Sequence, residues 1–149
     1  MRIAIGSDHG GYRLKSVIRE YLDSQDWCTV VDDFGPFDGN SVDYPDYAHT
    51  IARCVASGGY DLGIMIDGVG IGSTMVANKV RGIRCALCWD LFTARNAREH
   101  NHANMLCIGG QVLGDALAKA IVEVFVRTQP DPGRHARRVQ KIMDIEAMS

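Results

Sequence analysis

The stretch Asp67-Gly68-Val69-Gly70-Ile71-Gly72-Ser73 sets a carboxylate directly ahead of a run of glycines, just after the apolar segment Asp61 to Ile66. Glycines let backbone N–H groups approach an anion, and the helix-compatible Thr74 to Lys79 that follows would add positive partial charge at its start. The loop suits an oxyanion or a phosphate, although a plain tight turn uses the same residues. Asp67 is a candidate proton-transferring base, since burial pushes a carboxyl toward the neutral range a base needs. Capping the next helix is the competing use of an Asp at this place.

Three further groups carry chemistry. Arg134-His135-Ala136-Arg137-Arg138 puts Arg134 and Arg138 one helical turn apart, a spacing that can grip one phosphate by charge-assisted hydrogen bonds or serve as a solvated basic face. Glu99-His100-Asn101-His102-Ala103-Asn104 gathers imidazoles and amides able to exchange protons and bind hydroxyls near pH 7. No cysteine or histidine partner sits four residues away at helical spacing, so the expectation is a polyol ligand and no metal. Asp8-His9 could bind hydroxyls too, or cap a helix.

The elements that must hold these groups read as alternating strand and helix. Apolar strand candidates run Arg2 to Ser7, Thr29 to Asp33, Asp61 to Ile66, Ile83 to Leu87 and Met105 to Gly109. Helical spacing lies between them, as in Leu14, Val17, Ile18, Tyr21, Leu22 and in Leu113, Leu117, Ala120, Ile121, Val124. Short apolar strands without polar alternation argue for an α/β fold, a doubly wound parallel five-stranded sheet with helices on both faces. Ligands of such sheets bind beyond the carboxyl ends of the strands. Those ends here are Ser7 to Gly10, Asp67 to Ser73, Trp89-Asp90 and Gly109-Gly110. A loop from Phe34 to Tyr44 leads into a helix near Tyr44-Pro45, and Gln129 to Gly133 breaks the chain before a C-terminal basic helix.

A dinucleotide site is a rival for the glycine loop, with Asp90 as the acid after the next strand. Against it, the glycines run Gly-x-Gly-x-Gly, the intervening helix is short, and little chain is left for a substrate domain.

The 149 residues fit one domain, 1–149, with 46% hydrophobic and 23% charged residues as in ordinary soluble proteins. A net charge of −2 offers no broad attraction to nucleic acid or an anionic membrane, and no apolar run approaches a membrane span. Five cysteines with no leader-like start suggest reduced thiols in the cytoplasm. Cys85 and Cys88, three apart in a strand-like run, should point to opposite faces.

Taken together, Ser7-Asp8-His9-Gly10-Gly11, Asp43-Tyr44-Pro45, Gly70-Ile71-Gly72 with Ala77-Asn78-Lys79-Val80-x-Gly82-Ile83-Arg84, His100-Asn101-x-x-Asn104 and Gly133-Arg134-His135-x-x-Arg138-Val139 resemble, in this order, the ribose-5-phosphate isomerase B and galactose-6-phosphate isomerase family. The resemblance covers nearly the whole chain. It implies a Rossmann-like fold, a homodimer or homotetramer with interfacial sites, and cofactor-free interconversion of an aldose phosphate and a ketose phosphate. It further implies that His100 helps open the sugar ring, that Asp8, His9, Tyr44 and Asn101 contact the sugar, and that Gly68, Gly70 and Gly72, in the loop closed by Ser73, hold the enediolate. Arg134 and Arg138 would bind the phosphate, reaching with His135 from a neighbouring subunit.

Two features depart from the family's common pattern. Many members have Cys-Gly-Thr-Gly where this chain has Asp67-Gly68-Val69-Gly70, and another branch has Glu in place of Ser73. The Asp version is similar to the Asp-bearing chain of galactose-6-phosphate isomerase, whose companion chain carries the Cys. That likeness opens the alternative of a non-catalytic or partner-dependent member of a heteromeric enzyme. His9, which that Asp-bearing chain lacks, is present here.

Overall fold

A computed structural model describes residues 1–28 and 30–148. Five strands, β1 (Arg2–Ser7), β2 (Val30–Asp33), β3 (Leu62–Asp67), β4 (Cys85–Leu87) and β5 (Met105–Gly109), form one parallel sheet in the order β2-β1-β3-β5-β4. Six helices accompany them: α1 (Tyr12–Asp23), α2 (Tyr44–Ala56), α3 (Ile71–Ala77), α4 (Leu91–Asn101), α5 (Asp115–Arg127) and α6 (Arg134–Ala147). Thr29, expected to open the second strand, lies outside the described residues.

Side chains alternate across the sheet and divide the core in two. Ile3, Ile5, Leu62, Ile64, Ile66, Leu106 and Ile108 pack with Leu14, Ile18 and Leu22 of α1, with Ala94 and Ala97 of α4, and with Ile121, Val122 and Phe125 of α5. Ala4, Met65, Met105 and Cys107 pack on the other side with Ala48, Ile51, Ala52 and Val55 of α2 and Ala77 of α3. The chain moves outward from β3 to β4 and then steps back to β5. Right-handed crossovers therefore put α3 and α4 on opposite faces. Cys85 and Cys88 do face opposite ways: Cys88 joins the first cluster, and Cys85 lies against the second with its sulfur 3.3 Å from that of Cys107.

Three elements differ in their bounds from the sequence reading; the strand expected from Ile83 to Leu87 shortens to Cys85–Leu87. The helix expected over 74–79 starts at Ile71, because Gly70, at φ 85°, turns the chain into the helix in a left-handed conformation that favours glycine. The strand expected from Asp61 to Ile66 runs Leu62–Asp67, so Asp67 is the last residue of β3 and shares the face of Gly63 and Met65. Among the described residues no helix is long and apolar enough to cross a membrane.

Candidate active site

The sheet reverses its winding between β1 and β3, the position at which doubly wound folds open a crevice beyond the strand ends. Asp8 and Asp67 meet there. Asp8 N–H donates to the Ile66 carbonyl at 3.1 Å, and Gly110 N–H donates to the Asp67 carbonyl at 2.7 Å, so the ends of β1, β3 and β5 are tied together.

Asp67 is 4% exposed and its carboxylate is fully engaged with its own loop. Oδ1 accepts from the N–H groups of Val69, at 2.9 Å, and of Gly70, while Oδ2 accepts from Ser73 N–H at 3.1 Å. It therefore folds the glycine loop around itself and caps the first turn of α3. Gly68, Ile71 and Gly72 keep N–H groups that this carboxylate does not use. Among the described residues the Ser73 hydroxyl is buried without a hydrogen-bond partner.

Asp8 is differently placed. Its Oδ1 accepts at 3.0 Å from the N–H of Gly11, the residue just before α1, and does not cap the helix itself. Burial pushes its carboxyl above the ordinary range, and the nearby Asp67 charge pushes the same way against the Gly11 hydrogen bond. His9 Nδ1 sits 3.3 Å from the N–H of Val42, which orients the ring toward the loop before α2. Tyr44, at the start of α2, lies over Gly72 so closely that a Cβ there would come 2.6 Å from its ring, which is why a glycine occupies that position. The Gln111 side chain packs beside Gly68 and its N–H donates to the Gly68 carbonyl at 3.0 Å. Gln111 escaped the sequence reading, although it directly follows the Gly109-Gly110 strand end that pointed to it.

A second cluster forms elsewhere. His100, in the last turn of α4, stacks on His135 of α6 with ring centroids 3.9 Å apart and planes 2° from parallel. His100 Nδ1 lies 2.7 Å from the Asn96 amide, and Arg134 Nε donates to His135 Nε2 at 3.3 Å. Burial, then the neighbouring His100, Arg134 and Arg138, push the His135 imidazole below its ordinary value. Arg134 and Arg138 are exposed, as is Asn101. Asp131 joins this group: its N–H donates to the Glu99 carbonyl, and its carbonyl lies 2.7 Å from His102 Nε2. Ligand atoms of His100, Asp131 and His135 lie within 4.8 Å of one another, a cluster that spacing along one helix could not reveal. Parallel stacked rings direct their lone pairs side by side rather than onto one ion, so as they stand these imidazoles stack and do not chelate.

Several polar residues of the motifs are spent on scaffolding. The Asn104 side chain accepts from Arg84 N–H at 2.8 Å and donates to the Gly82 carbonyl at 2.8 Å, and the Asn78 side chain pairs with the Cys85 backbone in the same way. Asp90 caps α4 by accepting from Thr93 N–H at 2.7 Å. That use removes the acid a dinucleotide site would have needed.

The two clusters occupy opposite ends of one chain. Asp8 and Asp67 stand at the carboxyl ends of the strands, whereas α4 returns to the amino ends and Asn104 meets the Gly63 N–H at the start of β5. The strand between them is six residues long, which at ~3.3 Å per residue separates the ends by roughly 16 Å.

Comparison with known proteins identifies the family of the chain. The family model described as Ribose/Galactose Isomerase matches residues 3–142. A solved ribose-5-phosphate isomerase B of Clostridium thermocellum superposes with a TM-score of 0.95 at 47% identity, covering 99% of each chain. The ribose-5-phosphate isomerase B of Escherichia coli is 41% identical over 145 residues, 97% of this chain and 96% of that one. The D-erythrulose-4-phosphate isomerase of Pectobacterium atrosepticum is 40% identical over 143 residues, 95% of this chain and 93% of that one. A single glycine-loop crevice at the β1–β3 reversal, the ordered motifs and full-length similarity lead to one conclusion: this chain is a member of the ribose/galactose isomerase family of sugar-phosphate isomerases.

Proposed function

We propose that this enzyme interconverts an aldose phosphate and a ketose phosphate of four to six carbons through a cis-enediolate, at a site completed by a second copy of the chain. The observation that carries the two-copy reading is the separation of the sugar-facing and phosphate-facing groups. From C1 to phosphorus a pentose 5-phosphate spans six single bonds of ~1.5 Å, under about 9 Å even when extended, so it cannot join two ends roughly 16 Å apart. Asp8, His9, Tyr44 and the loop Gly68 to Ser73 of one copy would face the sugar. Arg134, His135 and Arg138 of the other would hold the phosphate, with His100 assisting ring opening and Asn101 bonding a hydroxyl.

Exposed apolar side chains suit such a pairing. Val69, Ile71 and Met75 border the glycine loop, while Leu91 and Phe92 flank the carboxyl end of β4. In a two-fold dimer one patch meets the same or a complementary patch of the partner, and the interfacial sites come in pairs. Within each site a carboxylate moves the proton between C2 and C1. Loop N–H groups of Gly68, Ile71 and Gly72 stabilise the charge that develops on oxygen, the kind of donor worth several kcal/mol when pre-organised, about 2.7–4 for one donor.

The substrates within this reading are ribose 5-phosphate and ribulose 5-phosphate, or a related tetrose or hexose phosphate. Val69 supports a substrate that needs little help with ring opening, because it offers no hydroxyl at that place in the loop. A tetrose 4-phosphate fits this, since its phosphorylated 4-hydroxyl cannot close a ring. The free thiols of Cys28, Cys54, Cys85, Cys88 and Cys107 accord with a reducing cytoplasm. The test is to incubate the purified chain with four-, five- and six-carbon aldose phosphates in D2O and follow ketose formation and deuterium uptake. Conversion of at least one substrate by this chain alone is expected; no conversion and no exchange with any of them would overturn the reading.

A further inference from the structure

Resting on the isomerase reading, we propose that Asp8, not Asp67, is the carboxylate that carries the substrate proton, and that Asp67 is a positioning residue for the loop and for Asp8. The two carboxylates share the crevice at the β1–β3 reversal, and their hydrogen bonds divide their roles. Both Asp67 oxygens are acceptors for backbone N–H groups, three in all from Val69, Gly70 and Ser73. A proton arriving there would put a donor against donors and open the glycine loop. Oδ1 of Asp8 has one such bond, from Gly11, and the Gly10 N–H is a weaker neighbour of the same carboxyl. Among the described residues no hydrogen bond of measured distance ends on Oδ2 of Asp8, and it is not one of the fully buried polar atoms without partners. It can take up a proton and return it with no change in the loop.

The chemistry balances without a further reagent. Asp8 takes the proton from C2; the C2–H electron pair becomes the C1=C2 double bond, and O1 takes the negative charge beside the loop N–H groups. The proton on O2 passes to O1, Asp8 returns its proton to C1, and O2 becomes the ketose carbonyl. The charged groups facing Asp8 are Asp67 from the end of β3 and the adjacent His9. Burial first, and then the fixed Asp67 anion, raise the Asp8 carboxyl, which strengthens it as a base.

Asp8→Asn, Asp8→Glu and Asp67→Asn are compared with the wild-type enzyme for kcat, KM, C2 deuterium exchange, pH profile and melting temperature. Asp8→Asn keeps the acceptor for Gly11 and is expected to lose roughly 10²–10⁴-fold in kcat and exchange, with KM and melting temperature nearly unchanged. Asp8→Glu is expected to recover part of both, together with the acid limb of the pH profile. Asp67→Asn sets an amide donor against Ser73 N–H and should mainly lower the melting temperature; its remaining activity should show an acid limb moved to lower pH, since the anion that raises Asp8 is gone. The proposal is overturned if Asp8→Asn keeps more than about a tenth of wild-type exchange, or if Asp67→Asn, still folded, loses exchange as completely as Asp8→Asn. A wild-type enzyme active on no sugar phosphate would instead sink the isomerase reading, so the two failures are distinct.

Discussion

Two inactive variants of this enzyme should restore each other when mixed. One variant removes the sugar end, Asp8→Asn with Asp67→Asn, which disables proton transfer whichever carboxylate performs it. The other removes the phosphate end, Arg134→Ala with Arg138→Ala. Each guanidinium lost from a phosphate costs about 1.5–3 kcal/mol as a charge-assisted hydrogen bond, so the pair should raise KM by roughly 10²–10⁴-fold. Because these groups lie at opposite ends of a six-residue strand, each working site of the proposed dimer would draw one end from each copy. Equal mixing with free exchange makes about half of the dimers mixed. Each mixed dimer holds one site with both defects and one with none, so activity should return to about one quarter of wild type. Variants are co-expressed with different affinity tags, mixed dimers are verified by native mass spectrometry, and ketose formation is measured at low substrate. Mixed dimers that form but show no activity above either parent would refute the shared site and bring both ends into one chain.

Two further outcomes follow from particular contacts. Lys15 is 1% exposed and bonds Asp33 Oδ1 at 2.7 Å and the Pro36 carbonyl at 2.6 Å, pinning the loop that leads to Tyr44. Lys15→Met leaves the Asp33 carboxylate with the Gly35 N–H at 2.8 Å and the 3.5 Å contact to Arg19 as its side-chain partners; it should destabilise by about 3 kcal/mol in urea denaturation, and adding Asp33→Asn should recover part of that. His135 titrates below its ordinary value because burial, His100 and the two arginines disfavour its charge, and a phosphate dianion beside it reverses that balance. The free imidazole thus takes up a proton less readily than an ordinary one, and the phosphate-bound one more readily. Net proton uptake on binding inorganic phosphate, read by calorimetry in buffers of different ionisation enthalpy, should therefore be lower for His135→Asn than for the wild-type enzyme at the same pH.

The sheet was legible because its strands are short, apolar and separated by amphipathic helices, a pattern with few other solutions. Strand order follows less from periodicity, since nothing local distinguishes β4 at the edge from β5 in the interior. The edge strand is only three residues long, and its neighbours Asn78 and Asn104 supply the backbone partners that a longer strand would have had. The composition of the glycine loop suggested an anion cradle, and in the structure the anion its N–H groups hold is the loop's own Asp67. What fills that cradle was not legible, because whether Asp67 projects into the crevice or folds back onto Val69, Gly70 and Ser73 depends on the left-handed turn at Gly70 and on side-chain placement. The stack of His100 on His135 was hidden for another reason: it joins residues 35 positions apart, on two helices that meet only after α5 has crossed the sheet.

Lys15 shows how far the site depends on residues that never face a ligand. A lysine buried in α1 has no place in a helix pattern read for apolar spacing, yet it fixes the turn after β2 from which the chain runs on to His9's partner Val42 and to Tyr44. Tyr44 in turn covers Gly72, and Gly72 can be covered only because it has no side chain. The glycine in the loop thus has two separate causes, backbone approach to an anion and the weight of a tyrosine above it. A substitution of Gly72 that leaves the N–H groups in place would still push Tyr44 aside, so under the proposed function binding of the sugar and stabilisation of its enediolate would depend on the same missing Cβ.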